Sequence, residues 1–350
     1  MCHRRYVGPK QKVLAFLARR DSATGGELRE HLGLSRQALS LHLRSLLETH
    51  QIVRSGTTRS ARYSLAGKAE KPATIARLLP IRDCDEDRVW NQLAVQLNLE
   101  RVLRPNVLAI VRYAFTEMLN NAIDHSQAER CSIRFTVTPS FVSFDIRDAG
   151  IGLFHSIATK HGLPDEETAL VELLKGKTTT MPEAHAGEGI FFTSRIGDAF
   201  TVRSHRIQME WKRAKHDVFV SQQRHLAGTA VHFTVHRSAR HKLEEVFGEF
   251  APAEYDFQFQ KTRVFVKLLR HDYVSRSEAK RLLANLEKFR EISLDFRDVR
   301  SVGQGFADEV FRVFANRHPG IMIHPEHASP AVLAMIKHVR PVTPSTTPSQ

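Results

Sequence analysis

The chain is an α/β protein of several domains, and three patterns in its 350 residues predict that class. It opens with helical periodicity followed by a short pair of strands. A long helix, two alternating strands and two glycine motifs fill its middle. Strand and helix segments alternate three times near its end. The length allows about two or three domains. An apolar content of 42% and a charged content of 25% are ordinary for a water-soluble globular chain. No apolar run has the length of a membrane span, and no charged-then-apolar leader opens the chain.

The N-terminal segment is read as three helices and a hairpin. Lys10–Arg20 carries apolar residues at Val13, Leu14, Phe16 and Leu17, which is helical spacing. Thr24 suits the N-cap of a helix over Gly25–Leu32, because its hydroxyl can accept from a free amide. Ser35 does the same for Arg36–Glu48, whose Leu39, Leu43, Leu46 and Leu47 face inward. Ile52–Arg54 and Arg62–Leu65 then flank Ser55–Ala61, a basic tip containing Gly56. The net charge of the chain is +13, and residues 1–71 hold 14 Lys/Arg against 5 Asp/Glu. That concentration predicts an anionic partner for this segment.

The helix pattern SRQALSLHLRSL and the strands IVRSG and RYSL together resemble the winged helix-turn-helix of small bacterial and archaeal regulators over about residues 8–67, within a domain read as residues 1–67. The resemblance implies DNA as the partner. Arg36, Gln37 and Ser40, near the start of the third helix, would then meet base edges, and Arg44 a phosphate. Arg54, Arg59 and Arg62 in the wing would grip phosphates rather than read sequence. The alternative is a protein-contact or dimerising adaptor whose arginines are merely solvated.

Residues 68–88 are read as a linker, although Ile75–Leu79 has the composition to fold back on either neighbour. Two helices follow, Asp87–Leu99 and Pro105–His125, the second opening on a proline where no hydrogen-bonded amide is lost. In that helix Glu117, Asn121 and His125 are four residues apart and form one polar stripe, with Met118, Leu119, Ala122 and Ile123 turned inward. Alone, such a stripe reads as a solvated face, since most polar stripes are only surface. It is followed by two alternating strands, Ser132–Thr138 and Phe141–Arg147, and then by Asp148-Ala149-Gly150-Ile151-Gly152. Ala186-Gly187-Glu188-Gly189-Ile190 opens a further helix, and Gly228-Thr229 begins a later strand.

These four pieces, in this order over residues 89–237, resemble the GHKL ATP-binding superfamily of gyrase B, chaperone ATPases, histidine kinases and anti-sigma kinases. The resemblance implies ATP and Mg2+ as cofactors. Asn121 would ligate the metal with a neutral oxygen, and Glu117 would be the general base. Asp148 would read adenine, with Gly150 and Gly152 letting the backbone approach it. Gly187 and Gly189 would offer helix-terminal amides to phosphate, and Thr229 would lie near the base. Residues 153–186 occupy the place of an ATP lid; Lys175 and Lys177 either approach phosphate as it closes or are a plain exposed pair. His125 has no assigned part beyond a structural one.

Residues 238–262 are read as a second linker, 263–340 as a small α/β layer, and 341–350 as a disordered Pro/Ser/Thr tail. Ser275 with Glu278 makes a capping-box pattern. ISLDFRDVRSVGQGFADEVF is similar to the STAS-like domain, kin to anti-anti-sigma factors, which implies a protein partner there. It departs from that pattern at the phosphoacceptor: Gly303 and Gln304, not serine, precede Gly305, and Ser301 comes too early. Asp308 and Glu309 serve either a specific contact or the helix dipole.

Cys2, Cys84 and Cys131 are too few and scattered for a disulfide framework or a zinc site, which predicts a reducing cytoplasm, and the winged-helix resemblance implies a bacterial or archaeal one. The whole reads as an ATP-responsive regulator with a DNA-binding head and a STAS-like tail; a homodimer is compatible with it. The competing reading is an anti-sigma-type serine kinase that uses the winged segment as an adaptor. A nucleotide-binding scaffold with little turnover is the third. No phosphoacceptor helix precedes the ATP motifs, which argues against a conventional two-component kinase.

Overall fold

A computed structural model describes residues 8–49, 51–56, 61–65, 72–176, 188–256, 258–268, 273 and 275–340. The N-terminal unit packs three helices, α1 (Pro9–Ala18), α2 (Gly25–Leu32) and α3 (Arg36–Glu48), against a small sheet. The sheet is formed by β1 (Ala23–Thr24), β2 (Ile52–Ser55) and β3 (Arg62–Leu65) in the order β1-β3-β2. Thr24 and Glu27 close a reciprocal capping box at α2, and Ser35 caps α3 through the Ala38 amide. Leu17, Leu28, Leu39, Leu43, Leu46 and Ile52 form its core.

The central unit is a five-stranded antiparallel sheet in the order β4-β5-β6-β8-β7. Its strands are β4 (Ala73–Pro80), β5 (Arg130–Val137), β6 (Phe141–Asp148), β7 (Ala199–Lys212) and β8 (Asp217–His236). The helices are α4 (Glu86–Gln96), α5 (Leu99–Val102), α6 (Pro105–His125), α7 (Leu153–Lys160), α8 (Glu166–Lys175), α9 (Gly189–Ile196) and α10 (Leu243–Phe250). β4 corrects the linker expected over 68–88: it runs antiparallel to β5 as an edge strand, with Ile75 opposite Phe135.

The C-terminal unit has a parallel sheet, β11-β10-β9, made of β9 (Lys261–Phe265), β10 (Glu291–Asp295) and β11 (Met322–Glu326). Its helices are α11 (Arg276–Leu283), α12 (Gln304–Asp308), α13 (Ala315–Arg317) and α14 (Pro330–Val339); a wider π turn over Glu309–Phe314 joins α12 to α13. The Ser275–Glu278 capping box forms as the sequence predicts.

The second expected linker, 238–262, is also corrected. It contains α10, whose Phe250 is buried with Phe259 in the core of the C-terminal unit. Phe191 and Phe192 of α9 belong to that same core, Phe191 lying 4.6 Å from Phe259 and 4.9 Å from Phe250 between ring centroids. The tail over 341–350 lies outside the described residues. Among the described residues, no helix is long and apolar enough to cross a membrane.

Candidate nucleotide site

The rotation of α6 sets the site. Its buried residues Val107, Ile110, Val111, Ala114, Phe115, Met118, Leu119 and Ala122 recur every three or four positions and lay one face on the sheet. Phe115 meets Phe135 and Phe144 edge-on, at 5.8 and 5.4 Å between centroids. The stripe of Glu117, Asn121 and His125 therefore turns away from this core, and all three residues are half-buried.

The loop after β6 folds back on the end of this helix. The Ile151 amide donates to the Ser126 carbonyl at 2.9 Å. A Cβ on Gly150 would lie 1.8 Å from that same carbonyl oxygen, so no side chain fits there. Gly152 has φ +84, and a Cβ on it would meet Ser204 Oγ and His205 Nε2. Asp148 is 5% exposed, and its Oδ1 accepts from the amides of Gly150 (2.9 Å) and Thr229 (3.2 Å). Burial raises the Asp148 pKa above the usual carboxylate value, and those two amides oppose the rise. The Thr229 hydroxyl in turn accepts from the Leu153 amide at 3.0 Å.

Asn121, His125, Asp148, Ile190, Phe200 and Thr229 are among the residues around a narrow cavity of about 30 Å³. At its far side α9 begins. A Cβ on Gly189 would lie 2.0 Å from Glu117 Oε2, so the two elements touch at the Glu117 carboxylate. The first amides of α9 have no partner within the helix. Asn121 Nδ2 is buried without a hydrogen-bond partner among the described residues. Such an orphan costs about 1–3 kcal/mol unless a ligand answers it, and a half-turn of the amide presents its carbonyl oxygen at the same place. The neutral oxygen, the glycine-lined approach and the helix start fit a metal-bound triphosphate.

Of the residues expected from the sequence, Glu117, Asn121, Asp148, Gly150, Gly152, Gly189 and Thr229 come together here. Lys177 and Gly187 lie outside the described residues. Lys175 is a correction. It is 1% exposed, with Nζ 2.5 Å from Glu172 Oε1 and donating to the Ala284 carbonyl at 2.9 Å, so its ammonium is held inside the protein. Asn285 donates to the other Glu172 oxygen at 3.0 Å, and the Thr262 hydroxyl donates to the Lys175 carbonyl at 2.6 Å. Burial pulls the lysine's pKa down while Glu172 opposes the shift. Lys175 thus roots the expected lid segment in the C-terminal unit.

Two neighbours were missed. Tyr113 extends the stripe one turn earlier, and its hydroxyl pKa is raised by burial and then by the charges of Glu117 and Glu188. Both carried a signal: Tyr113 has i, i+4 spacing to Glu117, and Glu188 lies between the two glycines.

In the N-terminal unit Arg36, Gln37, Ser40 and Arg44 are exposed on α3, and with them Leu41, which is 65% exposed. Arg54 is exposed, and Arg59 lies outside the described residues. Arg62 differs from the open wing contact expected of it. Its guanidinium donates to Ser22 Oγ (2.8 Å) and to the Ser22 carbonyl (3.2 Å), and it lines a cleft shared with Arg104 and Arg237 of the central unit. The Ser140 hydroxyl donates to Ser55 Oγ at 2.6 Å across the same junction.

Residues 83–211 match the family model of the histidine kinase-like ATPase domain, and residues 278–333 match that of a STAS-like domain of unknown function (DUF4325). The chain therefore carries both domains. The ATPase match ends within β7, and β8 completes the sheet beyond it. No curated protein matches the chain.

Proposed function

We propose that the protein is an ATP-binding regulator in which nucleotide held between α6, the Asp148 loop and α9 controls a DNA-binding winged head. The observation that carries the nucleotide reading is the orphaned Asn121 amide at the meeting point of Asp148, Thr229 and the start of α9. Asn121 would hold Mg2+, which would supply positive charge against the negative charge of the phosphates. Asp148, with Oδ1 fixed by two amides, would accept the adenine amine on its other oxygen. The α9 amides would meet phosphate. Glu117 would take the proton from the attacking nucleophile, a part worth about 10²–10⁴-fold in rate.

Transmission is supported by the lid's two roots. Lys175 at one end is bonded to Ala284, and α9 at the other end buries Phe191 and Phe192 in the STAS-like core. Moving the lid relative to α6 therefore bears on the C-terminal unit. The functional division would be a head over 8–65, an ATPase unit over 73–236 that includes β4, and a STAS-like unit over 261–339. The head would meet duplex DNA through Arg36, Gln37, Ser40 and Arg44 on α3, with Arg54 on phosphate.

The STAS-like match supports a second reading, a protein kinase of the anti-sigma type acting on a partner. Titration of the full chain with ATP and Mg2+, in parent and Asn121→Ala, tests the nucleotide site. The metal-dependent part of the affinity is lost in the variant if the reading holds; identical titrations overturn it.

A further inference from the structure

The head touches the ATPase unit with one particular face. In the β2–β3 pair, Ser55 stands opposite Arg62 and Val53 opposite Ser64. Alternation along a strand puts these four side chains on one side of the sheet. Ile52 and Leu65 belong to the other side, which packs on the head's own core. Ser55 is therefore on the outer face, where it accepts from the Ser140 hydroxyl of the β5–β6 turn at 2.6 Å. Beside this bond lies a cleft of about 360 Å³, to which the head brings Asp21, Arg62 and Ser64 and the ATPase unit Arg104, Ser140 and Arg237. Ser64 and Ser140 are 6% and 4% exposed, so the contact covers them. The contact is polar: among the described residues, the head's apolar core includes none from the ATPase unit. Polar junctions of this kind let two units separate.

Three elements run from this junction to the candidate nucleotide site. β6 starts at Phe141, next to Ser140, and ends at Asp148. β8 carries Thr229 and ends at His236, next to Arg237 and opposite Phe141. α6 has Arg104 as its N-cap and carries Glu117 and Asn121 in its second half. Each has the head at one end and residues of the site at the other.

We propose that the β5–β6 turn, with Arg104 and Arg237, is a docking surface for this chain's own wing, and that the docked head is closed to DNA. Arg62 is the phosphate grip that docking removes. It is half-buried in the cleft, with Nε and Nη2 both donating to Ser22, on the face that Ser140 covers. A duplex that uses Arg62 has to displace the turn, so DNA binds the undocked head better and draws the equilibrium toward it. This deepens the DNA reading of the head and rests on it.

The test locks the junction in the full chain. Oxygens 2.6 Å apart stand where the sulfurs of a disulfide, about 2.0 Å apart, would lie. Ser55→Cys with Ser140→Cys is oxidised by diamide, which takes up the two thiol protons and two electrons, and both single variants are treated alike. Duplex binding at low salt is then measured before and after reduction. Expected is an intramolecular disulfide in the double variant alone, and duplex affinity at least about tenfold lower when oxidised than when reduced. Arg62→Ala should weaken the reduced form and leave the oxidised form unchanged. Should the double variant fold poorly, Ser140→Leu decides: it is uncharged and crowds the docked wing, so it should bind duplex more tightly than the parent. No disulfide, equal affinity in both redox forms, or parental affinity in Ser140→Leu each overturns the closure while the DNA reading stands. No duplex binding by the parent even at low salt overturns the DNA reading, and the closure falls with it.

Discussion

Gly189 opens α9 directly against Glu117: a methyl group on the glycine would lie 2.0 Å from the carboxylate's Oε2. The obstructing atom is the end of a flexible side chain, so Gly189→Ala should fold normally and push Glu117 aside. With Glu117 as the proposed base, phosphoryl transfer should then fall by about 10²–10⁴-fold, as for Glu117→Ala, since both displace its carboxylate. Gly150→Ala meets a backbone oxygen at 1.8 Å instead and should lower stability by about 1–3 kcal/mol. Rate assays and denaturant melts on both variants check the contrast; a Gly189→Ala variant with parental rates would separate α9 from the proposed role of Glu117.

Asp148 should impose a pH limit on adenine recognition. Its pKa is raised by burial, and accepting the adenine amine needs the ionised form. The preference for ATP over inorganic triphosphate should therefore disappear as pH falls through that raised value, above the ordinary 3.8. Asp148→Asn should lose about tenfold in adenine preference and show no such pH dependence. Competition titrations across pH would reveal it; a uniform loss for both ligands would relocate the adenine pocket.

Lys175 should matter to stability rather than to phosphate. Removing it takes away the ammonium 2.5 Å from the buried Glu172 carboxylate. Lys175→Ala should cost about 3–5 kcal/mol, whereas Lys175→Met with Glu172→Leu should come close to neutral. Chemical denaturation measures both, and a single variant as stable as the parent would return Lys175 to the exposed lid.

The basic head predicts salt-dependent duplex binding by the full chain, because neutralised phosphates release counterions. Arg36→Ala should reduce the preference among sequences, and Arg54→Ala should weaken all duplexes alike. Filter binding at several salt concentrations distinguishes these; no affinity even at low salt would favour the adaptor reading.

The cluster of the candidate site was legible because its signals are local. Glu117 and Asn121 share a helical face by spacing alone, and Gly150 and Gly189 mark close approaches of backbone; Tyr113 shares that spacing but was passed over as an aromatic of the helix. β4 was not legible, since its apolar residues Ile75, Leu78 and Leu79 stand at i, i+3 and i+4, a helical rather than a strand spacing, and Leu78 is 59% exposed on the edge. Lys175 was misread for a different reason. Its burial depends on Ala284 and Asn285, more than a hundred residues away, and no local pattern reports such a contact. The placement of Phe191 and Phe192 in the STAS-like core has the same long-range origin.

The central claim is that nucleotide state governs the head, and DNA affinity measured with and without ATP and Mg2+ tests it most directly, in parent and Glu117→Ala. A nucleotide shifts a two-state protein only through unequal affinity for the two states, and a variant that cannot turn ATP over holds the bound state longer. The account predicts that ATP changes DNA affinity in the parent and does so more strongly and for longer in Glu117→Ala. DNA affinity indifferent to ATP in both proteins would contradict it.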